Sequence, residues 1–167
     1  MWTIKFLSPL HDHDACVDDA LRQAETLCRG RGVRLTPIRR RVLELIWSDH
    51  RPHRAYELLD RLRAERGPVA PPTVYRALDF LLAEGLIHRI ESLKAFVGCP
   101  RPHNSHIGQF FICDGCGAAA EVASRPLMKQ IDASAEKLGF IVSHPIVEVR
   151  GLCPECGKQE RSGHGES

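Results

Sequence analysis

No run in this sequence approaches the ~20 consecutive apolar residues of a membrane-spanning helix. The opening MWTIKFLSPLHDHD has no basic start, long apolar core or small-residue cleavage site of a secretory signal. A cytoplasmic protein with no membrane partner is therefore expected. The chain also has little net charge, +2 at pH 7, so its total charge marks no polyanionic partner. It has no even set of cysteines: seven is an odd number, and in a reducing compartment thiols serve as metal ligands, reactive groups or small core residues rather than disulfides. Apart from two cysteine pairs, no internal repeat is visible.

What is present is unevenly spread. Arg29 to Arg66 holds eleven arginines against five acidic residues, whereas Cys99 to Ser167 holds seven basic against eight acidic. The basic half points toward nucleic acid, although a solvated helix face would look the same from charge alone. At 167 residues the chain can form two small domains of roughly 80 residues each.

Periodicity predicts four helices in the first half. Ala15 to Cys28 carries apolar residues at helical spacing and is stopped by Gly30 and Gly32. Thr36-Pro37 forms an N-cap and N1 pair for a helix to about Ser48, and Ala55 to Glu65 forms a third, ended by Gly67-Pro68. In PPTVYRALDFLLAEG, Thr73 is available as a cap, and Val74, Ala77, Leu78, Leu81 and Leu82 form the buried stripe; Tyr75, Arg76 and Asp79 lie off it. LIHRIES and KAFVGC read as two short strands around a turn at Leu93-Lys94. Helices followed by a hairpin of this size indicate a winged helix-turn-helix.

The polar stretch PRPHNSHIG then reads as a linker or a ligand-shaped loop. Beyond it come a strand at Phe110 to Ile112, a strand from Ala119 to Val122, a helix from about Pro126 to Leu138, and a strand from Phe140 to Val149 interrupted by Pro145. The fold class expected is α+β: a winged helix-turn-helix domain followed by a small α/β domain. Its boundaries are a flexible N-terminus (1–14), the winged helix (15–98), a linker (99–108), the second domain (109–158) and a disordered tail (159–167).

The second half contains CDGC, Cys113 and Cys116, and CPEC, Cys153 and Cys156, each followed by glycine. Two such knuckles make a closed four-cysteine site, because zinc accepts four soft ligands in a tetrahedron and a two-residue gap lets both sulfurs of one turn reach a single ion. A thioredoxin-like redox pair would need one CxxC opening a helix in a βαβ unit. Further donors lie around the junction of the two halves: His88, Cys99, His103, His106 and Glu121. Singly, each is commoner as a packed or solvated side chain; together, thiolate, imidazole and carboxylate would suit zinc. Both readings stay open on spacing alone. His53 and His144 read as capping or packing residues, His11, His13 and His164 as solvated, and Cys16 and Cys28 as small core residues of the first helix.

RLTPIRRRVLELI, then PPTVYRALDFLLAEGLIHRIES, then CDGC and CPEC resemble the ferric uptake regulator (Fur) family from about Ala15 to Gly157. The resemblance is strongest to its zinc-responsive members: this chain has HNSHIGQFFIC where iron-type members carry a histidine-rich cluster, Leu152 where they often have a ligand histidine, and Cys99 as an added thiolate. It implies a homodimeric, metal-loaded transcriptional repressor whose second domain dimerises and which binds palindromic operator DNA to control zinc uptake genes. It implies two zinc ions per subunit, one structural at the four-cysteine set and one regulatory at His88, Cys99, His106 and Glu121, with His103 as the rival loop ligand. His53 matches a ligand position of some iron sensors. In the helix that reads the major groove, Tyr75 and Arg76 would contact bases, with Thr73 beside them and Arg39 holding phosphate. No enzyme activity and no small organic substrate are expected, since four ligands leave no open metal position. The alternatives are a family member sensing iron, manganese or nickel, and a zinc-buffering or delivery protein, which would have no use for the TVYRAL helix.

Overall fold

The structure, a computed structural model of the chain, describes residues 2–3, 13–49, 51–103 and 107–163. It divides into two compact units, Ser8–Ser105 and Met1–Leu7 with His106–Ser167. The first element, strand β1 (Trp2–Thr3), belongs to the second of these.

In the first unit, helix α1 spans His13–Gly30 and α2 Pro37–Trp47; strand β2 (His53–Arg54) leads into α3 (Ala55–Arg66), α4 (Pro71–Ala83), β3 (Ile87–Ile90) and β4 (Ala95–Gly98). The stripe predicted for α4 is buried at Val74, Ala77, Leu78 and Leu81 and only partly at Leu82; it meets Val42, Leu43, Leu45 and Ile46 of α2, Leu58, Leu59 and Leu62 of α3, and Leu21, Ala24 and Cys28 of α1 in one core, closed by Leu86, Ile87 and Phe96. Each such leucine or isoleucine is worth about 1.5–3 kcal/mol on burial, which is what holds helices of this length in place. Cys28 is a core residue, as its spacing indicates. Helices α1 and α4 stop in the same way: Gly32 and Gly85 adopt φ +67, and the next residue donates back across the turn, Val33 N to Cys28 O at 3.0 Å and Leu86 N to Leu81 O at 2.9 Å. A left-handed residue is needed there, and glycine adopts it without Cβ strain.

Two local expectations are corrected. Thr73 is not the cap of α4: Ala70 holds that position, and Thr73 lies inside the first turn with its N–H bonded to Ala70 O at 3.0 Å. Pro71 and Pro72 lack the N–H groups that a first turn leaves unpaired and have φ preset for a helix, so the helix starts earlier. His53, read as a capping or packing residue, caps no helix but is buried in β2, which pairs with β4, making the wing a three-stranded sheet of order β2-β4-β3. The wing turn falls as predicted, with Lys94 at φ 50.

The second unit contains β5 (Gln109–Cys113), β6 (Ala119–Ala123), α5 (Arg125–Lys137), β7 (Val147–Gly151) and α6 (Pro154–Gly163). Its sheet has the order β1-β6-β5-β7, with β5 antiparallel to β6 and parallel to β7. Gln109 clamps the start of α5, donating to Ser124 O at 3.1 Å and accepting from Ser124 N at 3.2 Å, while Ser124 Oγ caps the helix by accepting from Leu127 N. The strand expected from Phe140 starts only at Val147: Pro145 has no N–H for a ladder, so pairing begins beyond it. Trp2–Thr3, expected to be flexible, pairs with Ala123 and Val122, and α6 continues through residues 159–163, which carry no apolar stripe to announce a helix.

Candidate metal centre and nucleic-acid face

Strand β5 ends at Cys113, and its ladder with β7 sets Cys113 opposite Gly151, so Cys153 follows the same end of the sheet two residues later. The turn after β5 supplies Cys116, and the first turn of α6 supplies Cys156. The four Sγ atoms all lie within 4.8 Å of one another, with Cys116 and Cys153 at 3.9 Å. Sulfurs at zinc's ~2.3 Å bond length from the centre of a tetrahedron stand about 3.8 Å apart. The donor set and its spacing therefore fit zinc.

Backbone geometry prepares the sulfurs. Cys153 N donates to Cys113 Sγ at 3.2 Å, and Cys116 N and Cys156 N donate to Cys113 Sγ and Cys153 Sγ at 3.5 Å. A Cβ at Gly115 would stand 2.9 Å from Cys156 Sγ, and Gly117 turns at φ +75, so both glycines of the first knuckle are required. Burial opposes ionisation of Cys113, but the N–H donors of Cys116, Cys153 and Gly115 outweigh it and lower the thiol to about 6. The Cys153 and Cys113 sulfurs push Cys156 up to about 12. A divalent ion would hold all four as thiolates. Asp114 joins the knuckles: its N–H donates to Gly151 O at 2.7 Å, and Arg150 Nε donates to its carboxylate at 2.8 Å. This ion pair has no counterpart in any motif read from the sequence.

The other expected ligands are described within each unit. In the wing, His88 of β3 and Cys99 just past β4 offer ligand atoms within 4.8 Å of one another. Pairing of His88 with Val97 and the bond from Cys99 N to Leu86 O at 3.0 Å set this approach; Cys99 is 3% exposed. In the second unit, Glu121 is buried on β6, opposite Phe110. His103 and His144 are exposed. His106 lies outside the described residues, as do His11 and His164. His53 is buried, with Nε2 3.1 Å from Asp49 Oδ1. Burial works against ionisation of Asp49, yet the imidazole and the Arg51 N–H keep its pKa lowered.

Helix α4 buries Val74, Ala77, Leu78 and Leu81 and leaves Arg76, Asp79 and Tyr75 outward, Tyr75 at 54% exposure; Thr73 is half-buried. Arg39 is held against this helix, its guanidinium 3.6 Å from the centroid of the Phe80 ring and donating to Arg34 O at 2.7 Å. Much of the arginine excess in the sequence is matched internally: Arg31 pairs with Glu84, Arg40 with Glu25 and Glu44, and Arg41 with Glu44 and Glu65. The bonds from Glu65 and Glu44 raise the Arg41 pKa further. Arg76 has no ion pair among the described residues. A contact that sequence reasoning missed is that of Trp47 with Gly98; an isolated glycine inside a strand pattern is the signal of a close approach that could have found it.

A winged helix with an outward Tyr-Arg face, in one chain with a sheet unit closed by four cysteines, defines a metal-binding winged-helix protein. Residues 30–150 match the ferric uptake regulator family, and the chain belongs to it. It is 42% identical over 149 residues to the zinc uptake regulation protein of Escherichia coli K12, covering 89% of this chain and 87% of that protein. A solved zinc uptake regulator complexed with zinc and DNA superposes with a TM-score of 0.81 at 41% identity, covering 87% of this chain and 97% of that one. The crystal structure of holo XcZur gives 0.77 at 46% identity, over 84% and 99%. Among the described residues no helix is long and apolar enough to cross a membrane.

Proposed function

We propose that this chain is a zinc-responsive transcriptional repressor that binds palindromic operator DNA as a zinc-loaded homodimer and controls zinc uptake genes in the cytoplasm. The observation that carries this reading is the likeness, over most of the chain, to a zinc uptake regulator complexed with zinc and DNA. The α4 surface and the four-cysteine geometry agree with it. Homodimer formation through the second unit is supported by its exposed apolar side chains, Leu138 at 82%, Ile141 at 89%, and Phe140 and Ile146 beside them, a cluster that a second subunit would cover. No catalytic role is proposed: a closed four-cysteine site has no position for a reacting group.

Zinc would occupy two sites per subunit. At Cys113, Cys116, Cys153 and Cys156 it would supply a permanent cross-link whose binding energy is folding energy. The regulatory ion would be held by His88, Cys99, His106 and Glu121, ligands drawn from both halves of the sequence. A thiolate with two imidazoles and a carboxylate favours zinc over the harder manganese, and over iron by softness. In the reading helix, Arg76 donates to a purine edge and Tyr75 packs on a thymine methyl or the backbone, flanked by Thr73, while Arg39 faces phosphate. A ligand-linked coupling of about 1–3 kcal/mol between metal and operator is enough to switch occupancy, and DNA must then tighten metal binding by the same factor. The test is operator affinity measured against buffered free zinc. Affinity that rises with zinc and falls on removal of the labile ion is expected; affinity indifferent to zinc defeats the reading, and binding without sequence selectivity would favour a zinc-buffering protein.

A further inference from the structure

Helix α2 ends at Trp47, and its indole lies against the backbone of Gly98, the last residue of β4 and the immediate neighbour of Cys99. A Cβ at position 98 would fall inside the indole, 2.6 Å from Cζ2 and nearer still to Nε1 and Cε2. The tryptophan therefore occupies the volume that any side chain at 98 would need. Both ends of this contact are tied. The C-terminal turn of α2 is held by Arg61, which donates to Ser48 Oγ at 2.9 Å, while Ser48 Oγ donates to Leu45 O at 2.8 Å. On the other side Gly98 pairs with Ile87, His88 pairs with Val97, and Cys99 N donates to Leu86 O. Cys99 and His88 thus sit on a short two-stranded end whose core-facing side, at Gly98, is backed by one flat ring.

We propose that Trp47 is a positioning residue for the wing's metal ligands. Its ring, admitted only because residue 98 is glycine, holds the end of β4 so that Cys99 Sγ and the His88 imidazole stay within reach of one ion, and it links these ligands mechanically to α2, which packs in the same core as the reading helix α4. The proposal rests on the regulatory-site reading above. It makes Trp47 a built-in reporter, because the chain has only two tryptophans, Trp2 and Trp47.

The experiment uses the full-length homodimer with its structural zinc retained and labile zinc removed, in a Trp2→Phe background, titrated with buffered zinc. The expected result is a saturable change in Trp47 emission that Cys99→Ser abolishes. Gly98→Ala should weaken this zinc about tenfold or more, the usual size for losing support behind a ligand, and Trp47→Ala placed on top of Gly98→Ala should add little further loss, because both act through the same contact. Trp47→Ala alone, which adds no bulk, should weaken zinc as well and carries the test if Gly98→Ala fails to fold. A merely structural contact would lower the melting temperature of these variants without moving zinc affinity, and that outcome overturns the proposal. A wild-type protein with no zinc response that Cys99→Ser removes overturns the regulatory-site reading and this inference together; a normal wild-type response with unaltered variants overturns the inference alone.

Discussion

The four-cysteine set and the His88–Cys99 pair are both built from strand ends, yet they are held differently. The four cysteines belong to one unit, and their sulfurs are already gathered by backbone N–H donors, a strand ladder and the Asp114–Arg150 clasp. The wing pair brings only two donors together within its own unit, backed by a single aromatic ring. Under the proposed reading, the site complete within one unit would act as part of the fold, whereas the wing pair, completed by further donors, would exchange its ion and report on it. On that reading the contrast is between a clamp and a sensor.

The comparison breaks most severely at the clamp. Cys116→Ser or Cys153→Ser should release the structural zinc and unfold the second unit, since a structural zinc supplies an apparent ~10–16 kcal/mol; metal analysis with circular dichroism and gel filtration would show it, and a folded zinc-free dimer would count against the assignment. Acid should reach the same end gradually. Protons compete with zinc for all four thiolates, including Cys113, whose N–H donors favour its ionised form; chelator-driven zinc loss should accelerate as pH falls. Cys99→Ser should remove only the exchangeable ion and the zinc dependence of operator binding, leaving structural zinc and the fold intact. Arg76→Ala should reduce operator affinity by about 1–3 kcal/mol with zinc stoichiometry unchanged, read by fluorescence anisotropy on operator DNA. Smallest of all, Arg150→Ala should cost about 0–1 kcal/mol, as expected of an exposed ion pair, and show itself chiefly as faster extraction of the structural zinc.

How much of this is legible in the sequence differs between the two halves. In the first unit, burial of one face per helix imposes a 3.6-residue rhythm, and the stripes of α2, α3 and α4 stand in the sequence as they stand in the core. What misleads there is local: Thr73 looks like a cap, but two prolines ahead of it start α4 earlier, and β2 is two residues long and exists only because β4 lies beside it. The second unit is less readable. Its sheet borrows Trp2–Thr3 from the far end of the sequence, and β7 pairs with β5 across a gap that no periodicity reports. The cysteines are legible because coordination chemistry constrains their spacing, while the clasp of Arg150 on Asp114 and the seat of Trp47 on Gly98 depend on tertiary neighbours; the first leaves no trace in the sequence and the second only a glycine.

The parallel run of β5 and β7 has one more consequence. Parallel strands put like ends together, so both knuckles emerge at one edge; an antiparallel β7 would have parted them by a strand length, roughly 17 Å for five residues. Direction of travel along the sheet is therefore a condition of coordination. During synthesis the first knuckle is only a two-sulfur half-site until the second has left the ribosome, so firm capture of zinc would wait for both ends of the unit's sheet to be present.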